Sequence, residues 1–241
     1  AFLVRYIFTL AGATVGYGTY YGGSGEEEPR SVAYSGSPVR VYLAGSTSSP
    51  DLPALSGFDN SYADSADMFV AAMDVNGSSQ VFPFLSTYFG GTAVDWLSGI
   101  ESPTAGQFYL YGYSASPGLA TPGAFDQTFN MANTSFKAVL ARFSSSGAAR
   151  DFCTYYGGSN VTMTYALGSP LARDRNGNLY ITGTTGSPNL PLVGAWDSTP
   201  GDSRDIFIAK LNSDCSSLLF SSYLGGEDYD IGTGIAVDTF G

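Results

Sequence analysis

The residues able to do chemistry in this chain are few, and their types limit what that chemistry is. The sequence has no histidine. That removes Ser-His-Asp and Cys-His catalysis and the usual His-ligated zinc and iron centres. Carboxylates gather in two short stretches, GEEEP (Gly25–Pro29) and GEDYD (Gly226–Asp230). Oxygen ligands on short loops suit Ca2+, so Glu227, Asp228 and Asp230 are the candidate metal ligands and Ca2+ the candidate cofactor. The spacing of an EF-hand loop is absent, and the comparable stretch SNVTMTY has no carboxylate. A solvated charged turn is the competing reading, with no cofactor at all. Two carboxylates could also hydrolyse a glycoside, but nothing in the sequence singles out a pair. No catalytic residue is assigned, and the chain reads as a non-enzyme. Asn76, Asn133 and Asn160 each open an Asn-x-Ser/Thr triplet and are candidate glycosylation sites.

Two cysteines, Cys153 and Cys215, are too few for a disulfide scaffold. Cys153 falls in a predicted outer strand and Cys215 in a turn one repeat later. That separation argues against a bond between them, and the turn position makes Cys215 an expected exposed thiol or intermolecular contact.

The net charge is −11, with 13% charged residues. Phosphate-rich partners need clustered Lys and Arg, so nucleic acid is excluded as a partner. An acidic surface likewise does not suit an anionic membrane, and no run of 18 apolar residues exists to span one. Abundant Gly, Tyr and Phe with little charge describe a turn-rich β protein rather than a helical bundle.

The elements that must position these residues come from an internal repeat. An aromatic residue or Leu precedes Gly-Gly four times: Tyr21-Gly22-Gly23, Phe89-Gly90-Gly91, Tyr156-Gly157-Gly158 and Leu224-Gly225-Gly226. The first glycines are 68, 67 and 68 residues apart. VYLAGSTSSPDLP (41–53), FYLYGYSASPGLA (108–120) and LYITGTTGSPNLP (179–191) align without gaps. GFD, GAFD and GAWD follow them, and then MFVAAMD (68–74), AVLARF (138–143) and IFIAKLN (206–212). Each unit reads as four short strands, with the Gly-Gly pair expected to end the outer strand where the chain crosses to the next blade. Both faces carry bulk, as expected of a sheet covered on both sides by its own copies, which is a propeller blade. The expected fold is all-β, a β-propeller of four-stranded blades with a ~68-residue repeat, about 3.5 repeats being present.

Two segments test the register. SFKAVLARFSSSG (135–147) is rich in helix formers, and AFLVRYI at the start resembles a signal remnant. Both occupy the slot filled elsewhere by FVAAM and FIAKL, so both are expected to be strands.

These motifs resemble the SBBP family of bacterial β-propeller repeats. DIFIAKLNSDCSSLLFSSYLGG with GIAVD (205–238), and RNGNLYITGTTGSPNLPLVGAWD (175–197), match its pattern closely. SVAYSGSPVRVYLAGST and SGIESPTAGQFYLYGYS lack its Asp and its Gly-Asn turn. The resemblance implies a propeller, an extracellular or cell-surface location and no enzymatic activity.

The expected organisation is one propeller or propeller arc over 1–241. It comprises an incomplete blade at 1–23, blades at about 30–91, 97–158 and 165–226, and the start of a further blade at 227–241 with an inner strand at Gly234–Asp238. The missing strand comes either from further blades of a longer protein or from a neighbouring chain by β-augmentation. The long loops 46–67, 113–136 and 185–205 are expected to be pinned by Leu52 and Phe58, Leu119 and Phe125, and Leu190 and Trp196. The functional expectation is a structural or adhesive module of a filament or envelope layer, whose partners are other protein subunits or copies of itself. The alternatives are a carbohydrate- or protein-binding module of a larger secreted protein, and a glycan-active enzyme.

Overall fold

The computed structural model describes residues 1–241 apart from 37–38, 54–55, 64, 76–82, 105–106, 130–135, 145, 162–168 and 239–241; the side chains of 104, 160 and 161 are also outside the described residues. The described residues form strands and no helix, so none crosses a membrane as a helix. A hairpin comes first, β1 (Phe2–Thr9) and β2 (Gly12–Tyr20). Blade 1 contains β3 (Glu27–Gly36), β4 (Val39–Thr47), β5 (Asp67–Asp74) and β6 (Pro83–Phe89). Blade 2 contains β7 (Asp95–Thr104), β8 (Gln107–Ser114), β9 (Phe136–Phe143) and β10 (Arg150–Val161). Blade 3 contains β11 (Leu171–Arg173), β12 (Leu179–Thr185), β13 (Asp205–Leu211) and β14 (Leu218–Leu224). Each blade is an antiparallel meander in chain order, and a single bridge, Val161 with Thr185, joins the sheets of blades 2 and 3.

The helix-forming stretch around 136–143 is strand β9, and the apolar start is strand β1. Tertiary packing overrides propensity in β9 because Ala138 and Leu140 face blade 3 while Val139, Ala141 and Phe143 face blade 1. A strand buried on both faces needs apolar residues in succession, which blurs the helix and strand patterns.

Three apolar clusters glue the sheets together, each spanning two neighbours. The first joins the hairpin (Tyr17, Tyr21) to blade 1 (Leu43, Phe69, Ala71, Met73). The second joins the other face of blade 1 (Met68, Val70, Ala72) to blade 2 (Phe108, Leu110, Val139, Phe143). The third joins blade 2 (Tyr111, Tyr113, Leu140) to blade 3 (Ile181, Phe207, Leu211). Successive sheets therefore stack face to face, which is the arrangement of a β-propeller.

Three expectations need correction. No ladder forms at Gly234–Asp238. The residues just before it follow the path of an inner strand all the same: the Asp230 and Gly232 N–H groups bond the Arg204 carbonyl and Thr184 Oγ1 of blade 3, as those of Asp95 and Leu97 bond the Ala66 carbonyl and Ser46 Oγ of blade 1, and within the segment the Ile235 N–H bonds the Ser169 carbonyl at 2.8 Å. A strand is defined by its ladder, and no second strand lies beside this segment among the described residues. The Gly-Gly pair does not always end the outer strand, because β10 runs through Gly157-Gly158 to Val161 with an irregular register after Tyr156. Cys215 is not exposed but fully buried, and both cysteines are free thiols. Its turn is roofed by the blade 2 loop, where the Phe125 N–H bonds the Cys215 carbonyl at 2.8 Å, and its side chain joins the cluster between blades 2 and 3.

Candidate interaction surfaces

The pentapeptide YYGGS, at Tyr20–Ser24 and Tyr155–Ser159, shows how one blade is tied to the next. Its first tyrosine clamps the long loop of its own blade. Tyr155 Oη donates to the Ser116 carbonyl at 2.6 Å and accepts from the Leu119 N–H at 2.9 Å. Tyr88 does the same with Ser49 and Leu52, and Tyr223 with Ser187 and Leu190. The second tyrosine reaches forward: Tyr21 bonds Ser86 of blade 1, and Tyr156 bonds Ser221 of blade 3. Burial pushes the Tyr21 hydroxyl up to about 12, well beyond any physiological ionisation. The serine also reaches forward, with the N–H and Oγ of Ser24 on Asp51 Oδ1 and those of Ser159 on Asn189 Oδ1.

The aspartates of GFD, GAFD and GAWD complete the loop attachment. The N–H groups of Asp59, Asp126 and Asp197 bond Thr87 Oγ1, Thr154 Oγ1 and Ser222 Oγ, and their carbonyls accept from Tyr88, Tyr155 and Tyr223. In blade 2 alone, Lys137 Nζ reaches Asp126 Oδ2 at 2.6 Å and the Thr128 carbonyl at 2.9 Å. Burial raises the Asp126 carboxyl, but hydrogen bonds from Lys137 and Thr128 overcome that and hold it below the usual range.

This pattern fails at both ends of the stack, and there the surfaces open. Tyr20 occupies the slot of the three clamping tyrosines, yet it is 91% exposed where they are 0–1% exposed. Its ladder partner Phe2 corresponds to Phe69, Val139 and Phe207, the partners of Tyr88, Tyr155 and Tyr223, which are all buried. Phe2 is exposed, as are Val4, Tyr6, Phe8 and Val15 beside it. β1 pairs only with β2 among the described residues, so its other edge has free backbone groups. At the opposite end Ile206 and Ile208 of blade 3 are half-buried, whereas their counterparts Met68 and Val70 are fully buried.

The loop anchors follow the same logic. Leu52, Leu119 and Leu190 are buried as expected. Phe58 meets Phe143 of blade 2 edge-on, and Phe125 packs against the cluster shared with blade 3. Trp196 is not a buried anchor: it is 77% exposed, touching Phe220 of its own blade at 4.8 Å between ring centroids. The partner that Phe58 finds on the following blade has no counterpart for Trp196 among the described residues.

The remaining predicted sites are scattered. Glu227 and Asp228 are exposed, while Asp230 Oδ2 accepts the Gly226 N–H at 2.9 Å. No three His, Cys, Asp or Glu residues are grouped to hold a metal ion among the described residues. Asn76 and Asn133 lie outside the described residues, as does the side chain of Asn160, whose backbone is in β10. The tyrosine clamp was not foreshadowed by the repeat. Its only sequence signal is the recurrent Tyr before each aromatic- or Leu-Gly-Gly.

Residues 151–191 match the SBBP family, described as a beta-propeller repeat. The match spans β10 to the clamped loop of blade 3, crossing one blade junction. No curated protein matches the chain.

Proposed function

We propose that this chain is a structural propeller module of an extracellular or cell-surface assembly, acting by sheet-on-sheet stacking and without catalysis. The observation that carries this reading is the outward face of the hairpin. Phe2, Val4, Tyr6, Phe8, Val15 and Tyr20 form one exposed apolar surface. Covering six such side chains is worth about 10 kcal/mol as an upper figure. Patches of this kind mark interfaces. The occupant is a sheet of the same repeat, because the ladder-equivalent residues in blades 1, 2 and 3 are each covered by the preceding sheet. The open face of blade 3 is its complement, so contact is head-to-tail rather than self-paired.

Hydroxyl-radical footprinting of the native protein tests this reading. Phe2, Phe8 and Tyr20 are expected to be protected as strongly as Phe207 and Tyr223. Labelling of these three at the rate of free side chains would overturn the proposal. Light scattering on the 241-residue chain then identifies the occupant. Concentration-dependent polymers mean a second copy, and a monomer means further blades of the same polypeptide.

A further inference from the structure

Two blade junctions hold a pair of carboxylates around a glycine, with no positive charge between them among the described residues; Asp67, Asp95 and Asp205 are buried and Asp230 is half-buried. At the first, a Cβ on Gly90 would collide with Asp67 Oδ1 and lie 2.7 Å from Asp95 Oδ2. The two oxygens therefore flank one point and lie less than about 5 Å apart. At the second, a Cβ on Gly225 would collide with Asp205 Oδ1 and lie 2.7 Å from Asp230 Oδ2. Asp67, Asp95 and Asp205 are 0–2% exposed. Oδ1 of Asp67 and of Asp205 has no hydrogen-bond partner among the described residues. Of the four facing oxygens these two are therefore unpartnered, while Asp95 Oδ2 accepts from the Gly91 N–H and Ser116 Oγ, and Asp230 Oδ2 from the Gly226 N–H. An unpartnered buried carboxylate oxygen is costly, and each junction repeats it.

Blade 2 shows what the other two lack. Asp67 pairs with Thr47 in the ladder, and Asp205 with Thr185; the same rung in blade 2 pairs Ser114 with Lys137. An ammonium thus replaces the carboxylate, and it opens onto the cleft lined by Gly157 and Gly158. Where the chain supplies its own cation, no acid pair is needed. We propose that the Asp67–Asp95 and Asp205–Asp230 junctions each bind one Ca2+ between their facing carboxylate oxygens. Two oxygens on one Ca2+, each 2.3–2.6 Å from it, lie at most about 5 Å apart, which agrees with this geometry. Ca2+ accepts backbone carbonyls and water for its remaining ligands, so two carboxylates suffice as the charged core.

Equilibrium dialysis of the intact chain against Ca2+ and thermal melting in Ca2+ or Mg2+ test the proposal. The expected result is two bound Ca2+ per chain, with dissociation constants of ~0.1–1 mM. At a hundredfold excess over the dissociation constant the two ions together raise the melting temperature by roughly 10–20 °C. Asp67→Asn and Asp205→Asn each remove one ion, and the double variant removes both along with the thermal shift. No bound Ca2+ at about 5 mM would overturn the proposal, as would binding retained by the double variant. A melting temperature that rises from pH 7 to pH 5 but ignores Ca2+ would also overturn it, by showing that each pair shares a proton instead. If a variant fails to fold, the dialysis stoichiometry of the wild-type chain decides.

Discussion

At the scale of single residues, the fold depends on hydroxyl clamps more than on charge. Tyr155→Phe keeps the ring but leaves the buried Leu119 N–H without a partner and the Ser116 carbonyl with only the long 3.4 Å bond from Ser114 Oγ. The expected cost is about 1–3 kcal/mol, seen as a lower denaturant midpoint with an unchanged slope. Tyr20→Phe, in the same slot but exposed, should lie within about 0.5 kcal/mol of wild type in the isolated chain. Equal losses for both variants would show that the clamp adds nothing.

The Lys137–Asp126 pair gives a pH prediction of definite sign. Asp126 has its carboxyl lowered in the folded chain, so the unfolded chain takes up the proton first as pH falls. The stability it contributes is fully present above the unfolded value, about pH 4, and is lost as pH falls through the lowered folded value. Lys137→Met should flatten the dependence of the urea midpoint on pH below about 4. An unchanged acid limb in that variant would contradict the assignment. Cys153 and Cys215 are buried, and burial raises both thiols, that of Cys153 to about 12. Neither should react with a thiol reagent until the chain unfolds, and reductant should leave the melting temperature unchanged.

At the scale of elements, one ladder slot has two fates. Phe207 and Phe2 each pair with a tyrosine of the fourth strand, but Phe207 is buried and Phe2 is not. Phe207→Ala should cost about 3–5 kcal/mol. Phe2→Ala should leave the isolated chain within about 0.5 kcal/mol of wild type, while weakening whatever contact covers the hairpin. Footprinting and melting curves on the same two variants separate these effects. The strands themselves were legible in the sequence because four landmarks kept step. β9 was read correctly only through that register, since its own Ala, Lys, Leu and Arg favour helix. The strand expected at Gly234–Asp238 was not formed, because a strand needs a neighbour that local sequence cannot supply.

At the scale of the molecule, stability is carried by interfaces between sheets. Each apolar cluster belongs to two sheets and none to one alone. A repeat of this kind should lose structure from its open ends inward. Hydrogen exchange is therefore expected to be fastest in β1 and β2 and slowest in β5, β8 and β9. Uniform protection across all the strands would mean that the chain unfolds as one unit.

The sequence by itself determined the repeat length, the four-strand unit, the all-β class and the exclusion of histidine chemistry. All of these follow from periodicity and composition, which are local along the chain. It also located the tyrosines, glycines and aspartates, but not their partners. Only the tertiary structure decided that Tyr155 clamps its own loop while Tyr156 reaches the next blade. Only the tertiary structure buried Cys215, exposed Trp196 and brought Asp67 beside Asp95. These facts depend on how the chain folds back on itself, and the relevant pairs are separated by 24 to 90 residues. A repeat states what each unit looks like; the contact between units, where the buried acids and the open faces lie, exists only once the sheets have stacked.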